Sequence, residues 1–482
     1  MPVKKRISYK WLVLLSLSIG TFMSTLDSSI VNISLPRLTE VFNTEPSIVL
    51  WVTVAYLLVS VGLMLSIGKL GDVFGRKRVY VSGLAIFTIG LVFCSLSQSV
   101  IQLILARVVQ AIGSAMVIAV GNAIITAVFP AQERGKALGL MGAIVSTGLL
   151  SGPVVGGFLL DALDWRAIFW VRIPVGVIGL AMSWIFLREQ EKSSSGARFD
   201  WGGAVTLFGG LSCLLLFLNF GGRMGFTSLP VLLLAGAFGV QIILFMVFER
   251  SAQHPILSFH LFNNRTFAAG LLSMLIMFIA SSSNTFLMPF YLLEGIGRTG
   301  SQAGLLLAAI STASLLVGPA SGWLSDKIGS RILCTVGMTL ICLALFLLGQ
   351  LGQDSSTTEI LTRLIILGVG LGMFSSPNNS AIMGAVPREN LSTASAMIAT
   401  TRQVGISCGI AIIGTIYTTR QAFHSAALAG ENLAPALLER ITLVSSFQDS
   451  LTYAAIFCTI GILASWVRGK IVSDVKTLPT VE

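Results

Sequence analysis

Apolar runs of about twenty residues, separated by short polar loops, recur along the chain from Trp11 almost to its end. A helix rises ~1.5 Å per residue, so a run of that length crosses ~30 Å of hydrocarbon. The pattern predicts fourteen spans, at 11–35, 49–68, 79–98, 101–128, 138–160, 167–187, 201–220, 229–248, 267–292, 303–324, 332–351, 360–386, 394–419 and 447–467. Lipid offers the backbone no hydrogen-bond partner, so the spans must be helices packed into a bundle. An even number puts both termini on one side.

The polar loops set the orientation and reveal a repeat. Of the 31 Lys and Arg, twenty-one fall on one set of alternate loops and tails and only seven on the other. Cytoplasmic loops carry that excess, so both ends are expected in the cytoplasm of a bacterial inner-membrane protein. Gly68, Gly71, Asp72, Gly75 and Arg76 follow the second span, and Gly322, Asp326, Gly329 and Arg331 follow the tenth. Two such loops on one side indicate a parallel repeat of six-helix halves. Eight spans separate them rather than six, so spans seven and eight are insertions. The expected organisation is a first half over 1–187, a linker with two inserted helices over 188–266, a second half over 267–468 and a tail over 469–482. Residues 256–262 could lie on the membrane surface as an amphipathic segment or form an ordered loop.

Composition narrows the function classes. With 54% hydrophobic residues, 11% charged ones and a mean hydropathy of +0.86, the chain cannot be a soluble globular protein. A formal charge of +10 raises the question of nucleic acid, but topology accounts for the basic loops. The six Cys all fall in apolar segments without metal-like pairing, so no disulfide framework or zinc site is expected. The basic N-terminal start before the first apolar run lacks a small-residue cleavage site and reads as an uncleaved first span.

Four stretches bear a further likeness: 26–36, with Asp27, Asn32 and Pro36; 68–78, with the loop described above; 105–113, with Arg107, Gln110 and Gly113; and 148–157, with Gly148, Gly152, Pro153, Gly156 and Gly157. Together with 401–405, around Arg402, they resemble the major facilitator superfamily and its fourteen-span drug:proton antiporter branch. Ala111 stands where that branch usually has Gly, and Arg172 replaces a customary Asn. The resemblance implies two six-helix halves plus two inserted helices, a monomer, a proton gradient as the energy source and no cofactor. It also implies a proton-coupling role near Arg107, and a seam along the fifth helix that seals the external side between the halves.

The candidate chemistry centres on Asp27, the carboxylate placed well inside a span. Burying its charge costs several kcal/mol unless it is paired or hydrated, so it should face a cavity and hold or release a proton near neutral pH. A site that takes either a proton or a cationic cargo makes the two compete, which is the minimum an antiporter needs. Arg107 is its expected charge partner, with Gln110 on the same helix face. His254, His260 and His424 are expected in loops, leaving the carboxylate to carry the proton. Arg402 fits a structural tie to backbone carbonyls slightly better than a functional role. Asp72 with Arg76, and Asp326 with Arg331, are expected to form cytoplasmic ion pairs that break as the halves rock. Met23, Asn32, Gln110, Asn284, Phe286, Phe374 and Arg402 are candidates for the cavity lining.

Secondary active efflux of small cationic or neutral amphipathic compounds follows, with export of one endogenous metabolite as the alternative. A membrane enzyme would need a nucleophile with a base, a metal cluster or paired carboxylates, and none is visible. A sensor would carry a soluble signalling domain.

Overall fold

The computed structural model describes residues 8–44, 46–49, 51–189, 200–251, 259–428 and 435–467, and among them there is no strand. Fourteen long helices make the bundle. The first six are α1 (Tyr9–Val41), α2 (Trp51–Phe74), α3 (Arg76–Leu96), α4 (Val100–Val128), α5 (Arg134–Ala162) and α6 (Ile173–Phe186), the last preceded by a helical turn at Ala167–Trp170. Then come α7 (Trp201–Met224) and α8 (Leu229–Ser251). The last six are α9 (Arg265–Phe290), α10 (Gly300–Ile328), α11 (Ser330–Leu348), α12 (Thr357–Gly384), α13 (Leu391–Leu428) and α14 (Pro435–Trp466). Thirteen helical stretches among the described residues are long and apolar enough to cross a membrane. The helix α5 has 29 residues, about 43 Å of helix, which also suffices.

α1 to α6 pack on one another, α9 to α14 do the same, and α7 pairs with α8 while leaning on α2 and α13. The inserted pair therefore sits at the flank. The two groups meet along two seams, α5 against α10 and α12, and α13 against α2 and α4. The repeated loops use the same backbone device: Gly75 at φ +106° and Gly329 at φ +89° occupy a region that side chains rarely enter, and each ends one helix and starts the next. Below, the end of the bundle with these loops is the basic end.

The structure lengthens the last two spans. Instead of a loop over 420–446, α13 runs on to Leu428 and α14 begins at Pro435. Apolarity stops at the lipid edge, but the helices do not, and their projecting ends are tied together by Asp449 of α14. Its Oδ2 accepts from Arg420 Nε at 2.6 Å and lies 2.7 Å from His424 Nε2. His424 is therefore on a helix rather than in a loop. Of 256–262, Phe259–Asn263 forms a 3₁₀ turn, and 252–258, like His254 and most of the 188–200 linker, lies outside the described residues. All six Cys are free.

Candidate functional site

Asp27 sits where α1, α4 and α6 converge, and both of its carboxylate oxygens are used. Arg107 Nη1 donates to Oδ2 at 2.5 Å, while Arg172 Nη1 and Gln110 Nε2 donate to Oδ1 at 2.6 and 2.9 Å. Arg107 Nη1 also reaches Gln110 Oε1 at 2.6 Å, closing the ring. Exposure is 0% for Asp27 and Gln110, 1% for Arg107 and 4% for Arg172. Three donors on two oxygens fit an ionised carboxylate, since a protonated one would need an acceptor for its own hydrogen.

The surroundings explain how two guanidiniums tolerate such burial. Arg107 lies over the Tyr56 ring at 4.0 Å and donates from Nε to the Val52 carbonyl at 3.2 Å; Tyr56 in turn donates to Ser114 Oγ at 2.8 Å. Arg172 precedes the first residue of α6 and gives Nε to the Ile168 carbonyl at 2.7 Å. Its Nη2 is buried without a hydrogen-bond partner. Gly90 of α3 lets the backbone of Gln110 come close, since a Cβ there would lie 2.6 Å from Gln110 Cα. The cluster holds two cations against one anion.

The pairing of Asp27 with Arg107 and Gln110 matches the sequence expectation; the cavity does not. Asp27 is fully enclosed here, and Arg172, at the start of α6, covers its Oδ1. The sequence treated Arg172 only as a family departure. It could have been found by asking which anion a guanidinium in an apolar span would use, since Asp27 is the one carboxylate near.

The glycines of α5 divide into two faces. Gly148, Gly152 and Gly156 pack against α1 around Thr25, Ser29 and Ile30, so the stripe seats α1 within its own half instead of forming a seam between halves. The four-residue spacing puts all three on the face turned to α1. Gly157 faces open space. Gly152→Ala is therefore expected to cost about 1–3 kcal/mol by overpacking, because its Cβ would collide with Ser29, two residues from Asp27. Gly157→Ala should change stability by less than about 0.5 kcal/mol; thermal unfolding of the purified protein distinguishes the two.

Contacts between the halves lie nearer the basic end. Gly135 and Gly139 of α5 meet Gly318 and Gly322 of α10, where a Cβ added at Gly135, Gly139 or Gly322 would run into a facing backbone carbonyl. Asp72 stands at the start of α13: Oδ1 accepts from Ser392 N and Oδ2 from Thr393 N, both at 3.2 Å. A carboxylate there also suits the helix dipole. Arg76 Nη2 bonds Asp72 Oδ1 at 2.9 Å and the Arg388 carbonyl at 2.5 Å, and Arg76 Nε reaches Ser392 Oγ at 2.9 Å. The expected pair of Asp72 and Arg76 is present, and it bridges the halves.

The second copy differs from expectation. Asp326 makes no ion pair with Arg331; its Oδ1 accepts from Gly135 N at 3.3 Å, at the start of α5, while Arg331 lies over the Trp466 ring at 4.5 Å. The turn at Gly329 carries Arg331 onto α11 and away from the α10 end. The two aspartates thus do one job, each holding the first turn of a helix in the other half. Gly68 and Gly71 allow α2 to approach α13, where Cβ atoms would meet Ala396 and Ser392. Ser392, Thr393, Gly135, Gly139 and Gly318 were not anticipated, and Gly322 was noted only as part of the repeated loop, although the small-residue spacing in 135–139 and 318–322 was a readable signal.

The proposed cavity lining is only partly supported. Met23 and Phe374 are enclosed in side-chain packing at 1% and 0% exposure and line no cavity, because each faces its own half; Cys334 of α11 lies against the Phe374 carbonyl. Phe286 is partly accessible and touches Phe290. Asn284 is buried, with Oδ1 lacking a partner. Arg402 is partly accessible. The side chains of Asn32 and Pro153 lie outside the described residues. No cluster of three or more His, Cys, Asp or Glu suited to a metal occurs among those described.

A family model described as "Major Facilitator Superfamily" matches residues 17–410. Among curated proteins, the chain is 34% identical over 424 residues to "Riboflavin transporter RibZ" of Clostridioides difficile (strain 630), covering 86% of this chain and 91% of that one. It is 30% identical over 453 residues to "Multidrug transporter protein MdtP" of Bacillus subtilis (strain 168), covering 94% and 82%. "Multidrug resistance protein Stp" of Mycobacterium tuberculosis (strain CDC 1551 / Oshkosh) is 30% identical over 442 residues, covering 91% and 81%. Among solved structures, the human organic anion transporter MFSD10 superposes with a TM-score of 0.69 at 14% identity, covering 95% of this chain and 99% of that one. The proton:xylose symporter XylE superposes at 0.61 and 14%, covering 93% and 95%. At that identity the likeness shows a shared fold alone.

Proposed function

The chain belongs to the Major Facilitator Superfamily, transporters rather than enzymes, and from that premise we propose that it is a proton-coupled antiporter. It exports small amphipathic compounds across a bacterial cytoplasmic membrane, with the basic end and both termini in the cytoplasm. One observation carries the reading: Asp27, an interior carboxylate, holds α1, α4 and α6 together through Arg107, Gln110 and Arg172. A proton on Asp27 removes the charge that both guanidiniums share, so the three helices lose their tie at the moment of protonation. Proton uptake is thereby linked to helix rearrangement. The bonds from Asp72 and Arg76 to α13, and from Asp326 to α5, close the cytoplasmic end in this state and must part for cargo to enter.

Relatives named as multidrug transporters support a drug-like cargo. Of the cationic and neutral compounds expected from sequence, neutral ones suit the site better, since Asp27 is already shared by two guanidiniums. A relative named as a riboflavin transporter favours a second reading, export of one metabolite. Inverted vesicles given an imposed pH gradient and offered a panel of fluorescent dyes plus riboflavin test both. The expected result is accumulation that stops when a protonophore collapses the gradient. Accumulation of riboflavin alone supports the second reading, and accumulation indifferent to the gradient refutes proton coupling.

A further inference from the structure

The bundle interior carries more positive charge than its known bonds use. Arg402 makes no hydrogen bond, ion pair or ring contact with any described residue, although it stands eleven residues into α13, about 16 Å from the basic end. The carbonyl tie that the sequence favoured is not formed. Its direction follows from its neighbours on α13. Gly405 and Gly409 lie against Phe278 and Ser282 of α9, and Ser392 and Ala396 lie against α2. At about 100° per residue, Arg402 points between these two faces, roughly 20° from Gly409 and 80° from Ser392. The helix α2 belongs to one half and α9 to the other, so the side chain faces the space between halves, where it is partly accessible. A guanidinium placed there at the cost of desolvation needs an anionic neighbour for part of the transport cycle.

The other side of the interior adds to this field. Asp27 offsets one of Arg107 and Arg172, leaving a buried excess of one positive charge, and Arg172 Nη2 has no hydrogen-bond partner. Arg402, on α13 of the other half, adds a further interior guanidinium with no carboxylate partner among the described residues.

We propose that Arg402 is a cargo-binding residue and that the chain carries amphipathic monoanions, an apolar body bearing one carboxylate, sulfonate or acidic phenol. The guanidinium grips the acidic group, bidentately where the group offers two oxygens, while the apolar body lies against the half-buried Phe278 and Phe286 of α9. This rests on the exporter reading but replaces its neutral cargo with an anionic one; it concerns binding and does not require that Asp27 carry the proton.

Binding is measured on the purified full chain in nanodiscs with three fluorescent probes of one shape: 1-pyrenebutyrate, its methyl ester and 1-pyrenebutylamine. The acid is expected to bind about tenfold tighter than the ester, the difference one charge-assisted contact supplies, with the amine weakest. Arg402→Gln should erase the difference between acid and ester while leaving ester affinity in place; Arg402→Lys should keep part of it. Because Arg402 has no partner among the described residues to lose, Arg402→Gln should not lower the unfolding temperature. Equal affinity for acid and ester in the wild type, a preference for the amine, or a preference unchanged by Arg402→Gln would each overturn the proposal. A several-degree loss of stability in Arg402→Gln would overturn it too, by assigning the residue a structural role. Asp27→Asn should leave the acid preference intact even if it abolishes transport, which separates this proposal from proton coupling.

Discussion

Asp27→Asn is expected to abolish gradient-driven transport and to destabilise the fold, while Arg172→Asn should leave stability near that of the wild type. The asymmetry comes from the charge balance of the cluster. Removing the carboxylate's charge leaves two guanidiniums buried with nothing to offset them, and breaking a buried pair in this way costs about 3–5 kcal/mol. The amide oxygen of Asn can accept from one of the two arginines, so the other is left facing carbonyls and rings only. Removing Arg172 instead leaves a neutral set of Asp27, Arg107 and Gln110 with the bonds at 2.5, 2.6 and 2.9 Å intact, and the change should lie within about 1 kcal/mol. The double variant Asp27→Asn/Arg172→Asn separates fold from function. It should recover much of the lost stability, because one unbalanced guanidinium remains instead of two, and none of the transport. Thermal unfolding and vesicle transport, measured side by side on the three variants, decide the matter. Transport by Asp27→Asn at the wild-type rate would make the cluster a structural clasp.

Gly322→Leu is expected to open the basic end. The seam between α5 and α10 depends on backbone approaching backbone, and a Cβ at Gly322 would already meet the Gly135 carbonyl and Ser376 Oγ. A leucine cannot be fitted by turning a flexible neighbour aside, because the obstacle is main chain. Forcing it in costs the closed arrangement about 1–3 kcal/mol, which moves a two-state equilibrium about 5- to 150-fold. The same displacement draws Gly135 N away from Asp326, so the hydrogen bond at 3.3 Å goes with it. Spin labels at the exposed positions Lys136 on α5 and Lys327 on α10, on a cysteine-free background, should report a longer separation in the variant, and transport should fall by about 5- to 150-fold. An unchanged separation would mean that the glycine contact does not govern closure. Asp72→Asn should act in the same direction with a smaller effect, since the amide keeps one acceptor for the start of α13.

The particular residues show how far reading the chain could go. Asp27 and Arg107 stood out because each is an ionisable group inside an apolar run, and the cost of burying such a charge is the same wherever its partner lies. Arg172 obeys the same rule, but it stood out only as a replacement for a customary Asn, and nothing in the linear sequence brings it beside Asp27, 145 positions away. Met23 and Phe374 were misplaced for another reason. An aromatic or thioether side chain in a span satisfies lipid, packing and cavity equally, and only the neighbouring helix shows which of these it meets. The glycines 148, 152 and 156 were recognised as a contact stripe, yet the helix they touch is α1, within the same half.

The sequence alone determined the number of spans, the repeated loops, the two inserted helices and the class of protein, because apolar length and loop charge act locally against a lipid solvent. Tertiary structure alone decided that Asp27 is enclosed and shared by Arg172, that Asp72 and Asp326 each hold a helix start in the opposite half, and that Arg402 has no partner among the described residues. Those facts depend on the rotation of each helix about its axis and on contacts between residues more than a hundred positions apart. A hydropathy pattern that is apolar on every face carries no record of that rotation.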